Sequence, residues 1–271
     1  MNVNSFASGR FPSVDWVEQT GSTNADLAQV VLAEPHRSRV LFTDEQTAGR
    51  GRRGRSWVMR PAGGIMVSFF VPWLDVETAH AINAALAVAV LEAIGNTTSV
   101  TPSLKWPNDV VFESPTGSTK KLAGMLAEVV SDSDGMHGVI VGIGLNVSWP
   151  APADIAAAPQ DLGGAVALND VAGEQVGREE LAAEILRCFD EELDRLEGAG
   201  VSAVHQRYET RSSTMGRRVR IEQSERTIEC VATGLDPSGA LLVQVGDSEE
   251  KIFAGDVVHL RDAERATDID G

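Results

Sequence analysis

The chain has 271 residues, with 39 Asp and Glu against 23 Lys and Arg, for a formal net charge of −16. That balance argues against a broad basic face tracking nucleic acid or lying on an anionic membrane. A hydrophobic fraction of 43 % with 23 % charged residues is ordinary for a soluble globular protein, and the length suits one main domain plus a small one. Cys188 and Cys230 have no metal-ligand spacing and read as reduced thiols of a cytosolic protein. The opening MNVNSFASGR lacks the apolar run of a secretory signal. The most apolar helical stretch, Ala79 to Ile94, carries His80, Asn83 and Glu92 and is too short to span a bilayer. The expected location is the cytoplasm.

In chain order, Val14 to Glu18 reads as a short strand leading into GSTN, Gly21 to Asn24. Thr23, with Asp26 three residues on, resembles a helix start with a capping hydroxyl; the helix should run to about Leu32 and stop before Pro35. Arg39 to Phe42 is a second strand, Ile65 to Val71 a buried one, and Val76 to Ile94 the central helix. Short β runs follow at Ser103 to Trp106, Val110 to Phe112 and Leu122 to Val130; the turn SDSDG then joins the last of these to Val139 to Val147 as a hairpin. The Ala/Pro-rich run from Ala151 reads as a loop. Arg178 to Leu196 is amphipathic, with Leu181, Ile185, Phe189, Leu193 and Leu196 on one face. Beyond Met215 the pattern is all strand: Arg218 to Ile221, Thr227 to Ala232, Ala240 to Val245 and Lys251 to Leu260, with the turn DPSG at Asp236 to Gly239. The tail after Arg261 is polar and expected to fray. The elements do not alternate as β-α-β-α, so the fold class is α+β, a mixed-sheet domain over 1–213 followed by a small SH3-like β unit over 214–271.

Candidate chemistry concentrates in a few stretches. GRGRRGRSW, Gly49 to Trp57, sets four arginines among three glycines. It lacks the lysine and spacing of a P-loop, and its GxGxxG runs into a strand where a dinucleotide fingerprint opens a helix. Four guanidiniums suit bidentate bonds to phosphate or carboxylate and repel one another without an anion, so this loop is expected to be disordered when nothing is bound. Ordering seven residues costs roughly 10 kcal/mol gross, which only a ligand with several anionic groups offsets. In GVIVGIGLNV, Val139 to Val147 alternate into an apolar wall, while the opposite face carries Gly142, Gly144 and Asn146. Such a bare face is either a floor for a ligand or a seat for another element. In LKWPNDVVF, Lys105, Asn108 and Asp109 flank a proline break, and Asp109 either serves the chemistry or holds the loop's shape. Lys121 is either a solvated strand end or a point charge aimed at the bare floor. GSTN and Gln46 are unremarkable alone.

Taken together, GSTN, EQTAGRGRRGRSW, the strand after its GG, KWPNDV, KLAGMLAEV and GIGLNV resemble the biotin–protein ligases. The resemblance spans about Thr20 to Val147, and GDVVHLR looks like that family's C-terminal domain. It implies a fold related to the class II aminoacyl-tRNA synthetases with an appended SH3-like domain. It also implies two reactions: biotin and MgATP give biotinyl-5′-AMP and pyrophosphate, then the biotinyl group passes to one lysine of a biotin carboxyl carrier domain. By the same resemblance Ser22, Thr23, Asn24 and Gln46 surround the biotin rings. Arg50, Gly51 and Arg52 close over biotin and its adenylate, and Lys121 stands by the reacting carboxylate and phosphate. Lys105, Asn108, Asp109 and Asn146 lie around the nucleotide. Lys121 and Arg52 are the expected catalytic pair; no metal ligands are assigned, and Mg2+ arrives with ATP. About a dozen residues precede the first strand, so a ligase without operator binding is expected. The nearest rival is a lipoate ligase on the same fold. A nucleic-acid module built on the arginine loop fits poorly with the acidic balance and a single tyrosine.

Overall fold

The computed structural model describes residues 6, 9–73, 75, 78–114, 117–148, 164–223 and 226–260. The Ala/Pro-rich run from Ala151, the start of the central helix at Val76 and the tail after Arg261 lie outside them. The chain folds around a seven-stranded mixed sheet. Its strands are β1 (Ser13–Thr20), β2 (Arg39–Gln46), β3 (Gly64–Pro72), β4 (Ser103–Lys105), β5 (Asp109–Glu113), β6 (Thr119–Asp132) and β7 (Gly135–Asn146), in the order β1-β2-β3-β7-β6-β5-β4. β1 and β2 are parallel and the remaining pairs antiparallel.

The two faces of this sheet are covered unequally. One face, with Ile65, Val67 and Phe69 of β3 and Val139, Val141, Ile143 and Leu145 of β7, packs into the main core. Over it lie α2 (His80–Thr97) and α4 (Arg178–Ala199). Almost every residue of α2 from Ala81 to Ile94 is buried, so this helix is apolar all round, as a central helix must be. α1 (Thr23–Val31) covers only one end of the other face, where Leu27 and Val31 meet Leu41, Phe70 and Ile140. The rest of that face, where the glycines of β7 lie, is left for something else.

Among the described residues two helices have no counterpart in the sequence reading: α3 (Leu168–Ala172), a single turn, and α5 (Val201–Thr210). Gly200, at φ 79°, breaks the chain between α4 and α5 in a conformation that costs any other residue. The expected strand Lys251 to Leu260 is two strands, β11 (Ser248–Ile252) and β12 (Asp256–His259), separated at Phe253 to Gly255. With β8 (Arg218–Glu222), β9 (Thr227–Leu235) and β10 (Leu241–Val245) they form a five-stranded antiparallel sheet in the order β11-β10-β9-β8-β12. Trp106 belongs to the core of this second sheet, beside Val219, Ile221, Leu241 and Val257, and its indole N–H donates to the Gly239 carbonyl at 3.2 Å. A residue from the KWPND stretch thus plugs the small unit and fixes it beside the open face of the large sheet.

Candidate active site

The open face forms the floor of a cavity of about 690 Å³. Strand register explains its shape, because residues directly opposite in a ladder share a face. One row across the sheet is Met66, Gly144, Gly124 and Asp109; the next is Ser68, Gly142 and Leu126. A β carbon at Gly144 would sit 2.2 Å from the Trp57 indole, and one at Gly142 would sit 2.2 Å from Asn24 Oδ1. Both approaches are possible only over bare backbone. The bare floor of β7 is therefore cavity lining and also the seat of one indole from the arginine loop.

Each of the residues selected from sequence, namely Ser22, Thr23, Asn24, Gln46, Arg50, Gly51, Arg52, Lys105, Asn108, Asp109, Lys121 and Asn146, lines this cavity. At one end the first turn of α1 is knitted into the sheet. Gln46 Oε1 accepts from the Thr23 N–H at 2.9 Å and from the Thr23 hydroxyl at 3.2 Å. It therefore satisfies one of the amides that a helix start leaves open. This corrects the expected cap: Thr23 is the first helical residue, and Asp26 pairs with the Thr20 hydroxyl. The buried Ser68 Oγ lies 2.6 Å from Thr23 Oγ1 and 2.5 Å from Asn24 Oδ1. Asn24 Nδ2 donates to the Leu126 carbonyl and to Glu128, so this amide is spent within the protein. Among the described residues no hydrogen bond occupies Ser22 Oγ or Gln46 Nε2, and both residues line the cavity.

At the other end a β-bulge decides the aim of Lys121. β5 and β6 slip between Val110 and Val111, so Val110 faces Ala123 while Val111 faces Lys121. Leu122 is the extra residue and enters the core, and Lys121 turns to the cavity side, where an unbroken ladder would have put it with Ala123 on the core face. Its ammonium lies 2.6 Å from Asp109 Oδ1 and 5.5 Å from the Trp57 ring centroid. Lys121 is thus an inward charge rather than a solvated strand end. Asn108 holds the same corner: its Nδ2 donates to the Met125 carbonyl at 2.7 Å and its Oδ1 accepts from Arg52 at 3.1 Å. Lys105 is buried in the wall. Burial first, then the charges of Lys105 and Arg217, pull His259 of β12 down to about 4. Asn146 is buried at the end of β7, donating to the Val166 carbonyl.

The arginine loop crosses the cavity between these ends along a defined path. Arg50 and Ser56 form a bridge, the Gly51 N–H donates to the Arg55 carbonyl at 2.7 Å, and residues Arg52 to Gly54 make one tight turn. The mutual repulsion of the arginines is answered by protein groups. Arg50 pairs with Glu128 at 2.8 Å, while Arg53 and Arg55 pair with Asp256 of β12 at 3.0 and 2.5 Å. Arg53 and Arg55 thus reach the second sheet. Arg52 is the most enclosed of the four; burial lowers its pKa, against the opposing fields of Asp256 and Asp109.

The family model for biotin/lipoate A/B protein ligases matches residues 16–146, and that for the biotin protein ligase C-terminal domain matches residues 214–260. The biotin–[acetyl-CoA-carboxylase] ligase of Mycobacterium tuberculosis is 35 % identical over 256 residues, covering 92 % of this chain and 89 % of that protein. The chain belongs to the biotin protein ligases. The bifunctional ligase/repressor of Bacillus subtilis is 29 % identical, over 80 % of this chain and 65 % of that relative. The solved biotin protein ligase of Aquifex aeolicus in complex with biotin and ATP superimposes with a TM-score of 0.74 at 28 % identity, over 93 % of this chain and all of that one (100 %). The α+β fold with its C-terminal β unit is that of the family.

Four residues at or behind the cavity wall escape a reading by motif. Ser68 is a lone polar residue inside the apolar run GIMVSFF, and its even position beside Met66 and Phe70 is the signal that could have found it. Trp57 and Glu128 end motifs quoted for other residues, and Asp256 lies some two hundred positions from its arginines. In this ligase Asp256 ties the arginine loop to the C-terminal sheet. Asp256→Asn is expected to speed proteolytic cleavage within residues 49–57. The melting temperature should barely move, because ion pairs this exposed contribute about 0–1 kcal/mol. Unchanged cleavage in that variant would show that Asp256 does not restrain the loop.

Proposed function

We propose that the cavity joins biotin to AMP and holds the product until an acceptor lysine takes the biotinyl group. The enzyme is an ATP-dependent biotin protein ligase; the division of labour among its residues is our reading. Ser22, Thr23 and Gln46 line the end that takes the biotin rings, with Ser22 Oγ and Gln46 Nε2 directed at the ligand and Asn24 bracing the pocket from behind. Lys121 and Arg52 meet the carboxylate and the α-phosphate. Lys105, Asn108, Asp109 and Asn146 shape the nucleotide side.

The observation that carries this reading is the bulge that turns Lys121 onto the glycine floor beneath an arginine lid. Attack of a carboxylate oxygen on the α-phosphorus brings two anions together, so cations fixed beforehand stabilise the charge that builds there. The carboxylate forms the new O–P bond and pyrophosphate leaves with the electron pair. The product is a mixed anhydride that water destroys, so exclusion of water by the lid protects it. The nucleophile of the second reaction belongs to the acceptor: its amine attacks the biotinyl carbonyl and AMP departs. Neither reaction therefore calls for a nucleophile–base pair in this chain.

Magnesium enters, in this reading, as part of MgATP. No helix described is long and apolar enough to cross a membrane. We place the enzyme in the cytoplasm, with the carrier domain of a biotin-dependent carboxylase as its partner. The catalytic unit is residues 1–213 and the C-terminal unit residues 214–271. The test is mass spectrometry of a biotin carboxyl carrier domain after incubation with enzyme, biotin and MgATP. One added biotinyl group on one lysine is expected; lipoyl transfer with no biotinyl transfer would overturn the reading.

A further inference from the structure

Glu128 sits at the rim of the cavity with no part in the chemistry above, yet it joins the two halves of the site. It lies on β6 at an even position, on the cavity side with Gly124 and Leu126, and is paired across the ladder with Ile140. A single oxygen, Oε2, accepts from Asn24 Nδ2 at 2.8 Å and from Arg50 Nη2 at 2.8 Å. Asn24 is buried and continues through Ser68 to Thr23 and Gln46, the end assigned to the biotin rings. Arg50 is the first arginine of the lid and forms the bridge that closes the loop on Ser56. Beside the backbone bonds from Thr47 and Ala48 to Thr20 and Gly21, a side-chain path from pocket to lid thus passes through one carboxylate oxygen.

The pair with Arg50 is half exposed and adds little to stability. Its consequence is geometric. The carboxylate, with the Leu126 carbonyl beside it, fixes which way the Asn24 amide faces, because only Nδ2 can donate to them, and that leaves Oδ1 for Ser68. The same oxygen sets the position of Arg50, and with it Gly51 and the entry to the turn that carries Arg52. We propose that Glu128 is a positioning residue that couples the ring end of the pocket to closure of the arginine lid, so that filling the pocket and shutting the lid favour each other. Coupling of this kind is reciprocal: what loosens the lid must also weaken ligand binding at the ring end. The inference rests on the function proposed above for its ligand, and on the hydrogen bonds alone for the latch.

The experiment compares wild type with Glu128→Ala, Glu128→Asp, Arg50→Ala and the Glu128→Ala/Arg50→Ala double variant. Amide hydrogen exchange over residues 49–57 in the ligand-free protein reads the latch without any chemistry. Calorimetry with biotin and the release rate of preformed adenylate read the coupling. Glu128→Ala is expected to speed loop exchange, and to raise both the biotin Kd and the adenylate release rate by about tenfold, or roughly 1.4 kcal/mol each. Glu128→Asp should recover part of both. In the Arg50→Ala background the Glu128 substitution should add less than about twofold to release, since residues acting as one unit are not additive. Unchanged loop exchange in Glu128→Ala, or release effects that multiply in the double variant, would overturn the coupling. A wild-type protein that makes no adenylate from biotin and ATP would overturn the function instead, and loop exchange would still decide the latch. Thermal melts of all variants separate these outcomes from loss of fold.

Discussion

Replacing Lys121 with alanine is expected to abolish adenylate formation while leaving the fold intact. The ammonium is the cation held at the junction of floor, nucleotide corner and lid, 2.6 Å from Asp109 and over the Trp57 ring. Removing a fixed donor from developing negative charge costs about 10²–10³ in rate. Here a second effect acts in the same direction, because Asp109, left without its cation, becomes an uncompensated negative charge beside two reacting anions. The backbone at this position keeps its bonds: the Lys121 N–H donates to the Gly164 carbonyl, and its own carbonyl accepts from Val166. Folding therefore does not depend on the side chain. Lys121→Arg should rescue poorly, since a planar fork replaces a compact point charge in a corner already occupied by Trp57 and Asp109. Pyrophosphate release with biotin and ATP gives the rate, and circular dichroism melting gives the fold. Full adenylate synthesis by the alanine variant would remove Lys121 from the chemistry.

How far the site could be read from sequence depends on whether its contacts are local. GSTN, the arginine loop, KWPND and KLAG each place their functional residues within a few positions, so the cluster shows as a series of polar interruptions in apolar runs. The glycine floor was equally plain, because alternation along one strand separates the wall of Val139 to Leu145 from Gly142, Gly144 and Asn146. Other features depend on pairings that no window contains. The direction of Lys121 follows from a slip between β5 and β6, and by simple parity it belongs with Ala123. The order of the arginine loop follows from Glu128, Asn108 and Asp256, which come from three strand neighbourhoods and only together answer four like charges. The split of Lys251 to Leu260 into β11 and β12 reflects a chain reversal at Phe253 to Gly255 that a continuous β pattern hides. Trp106 enters the core of the other sheet, through contacts with residues more than a hundred positions away.

For Arg52→Gly the expectation differs in kind: adenylate should still form, but leave sooner. Lys121 and Asp109 remain at the reacting corner, so the first reaction keeps its fixed cation. What is lost is the link from Arg52 to Asn108, the most enclosed of the lid's attachments. Glycine also makes the loop costlier to order, by roughly 0.5–1 kcal/mol. The turn can still form, since its bonds from Gly51 to the Arg55 carbonyl and from Arg55 to the Arg52 carbonyl are backbone bonds. A lid that opens more often releases a mixed anhydride able to acylate any exposed amine. The expected result is an adenylate release rate raised by about tenfold or more, equivalent to 1.4 kcal/mol of lost retention. Biotin should then appear on the lysines of bystander proteins, increasingly so as pH rises and more of their amines are neutral. Arg52→Lys should fall between the two, keeping the charge and losing the fork. Release timed by trapping with excess unlabelled substrate, beside biotin labelling of an added non-acceptor protein, makes both measurements. Retention equal to wild type would show that the lid holds without Arg52, whereas loss of adenylate formation itself would show that the first reaction needs both cations at the α-phosphate rather than Lys121 alone.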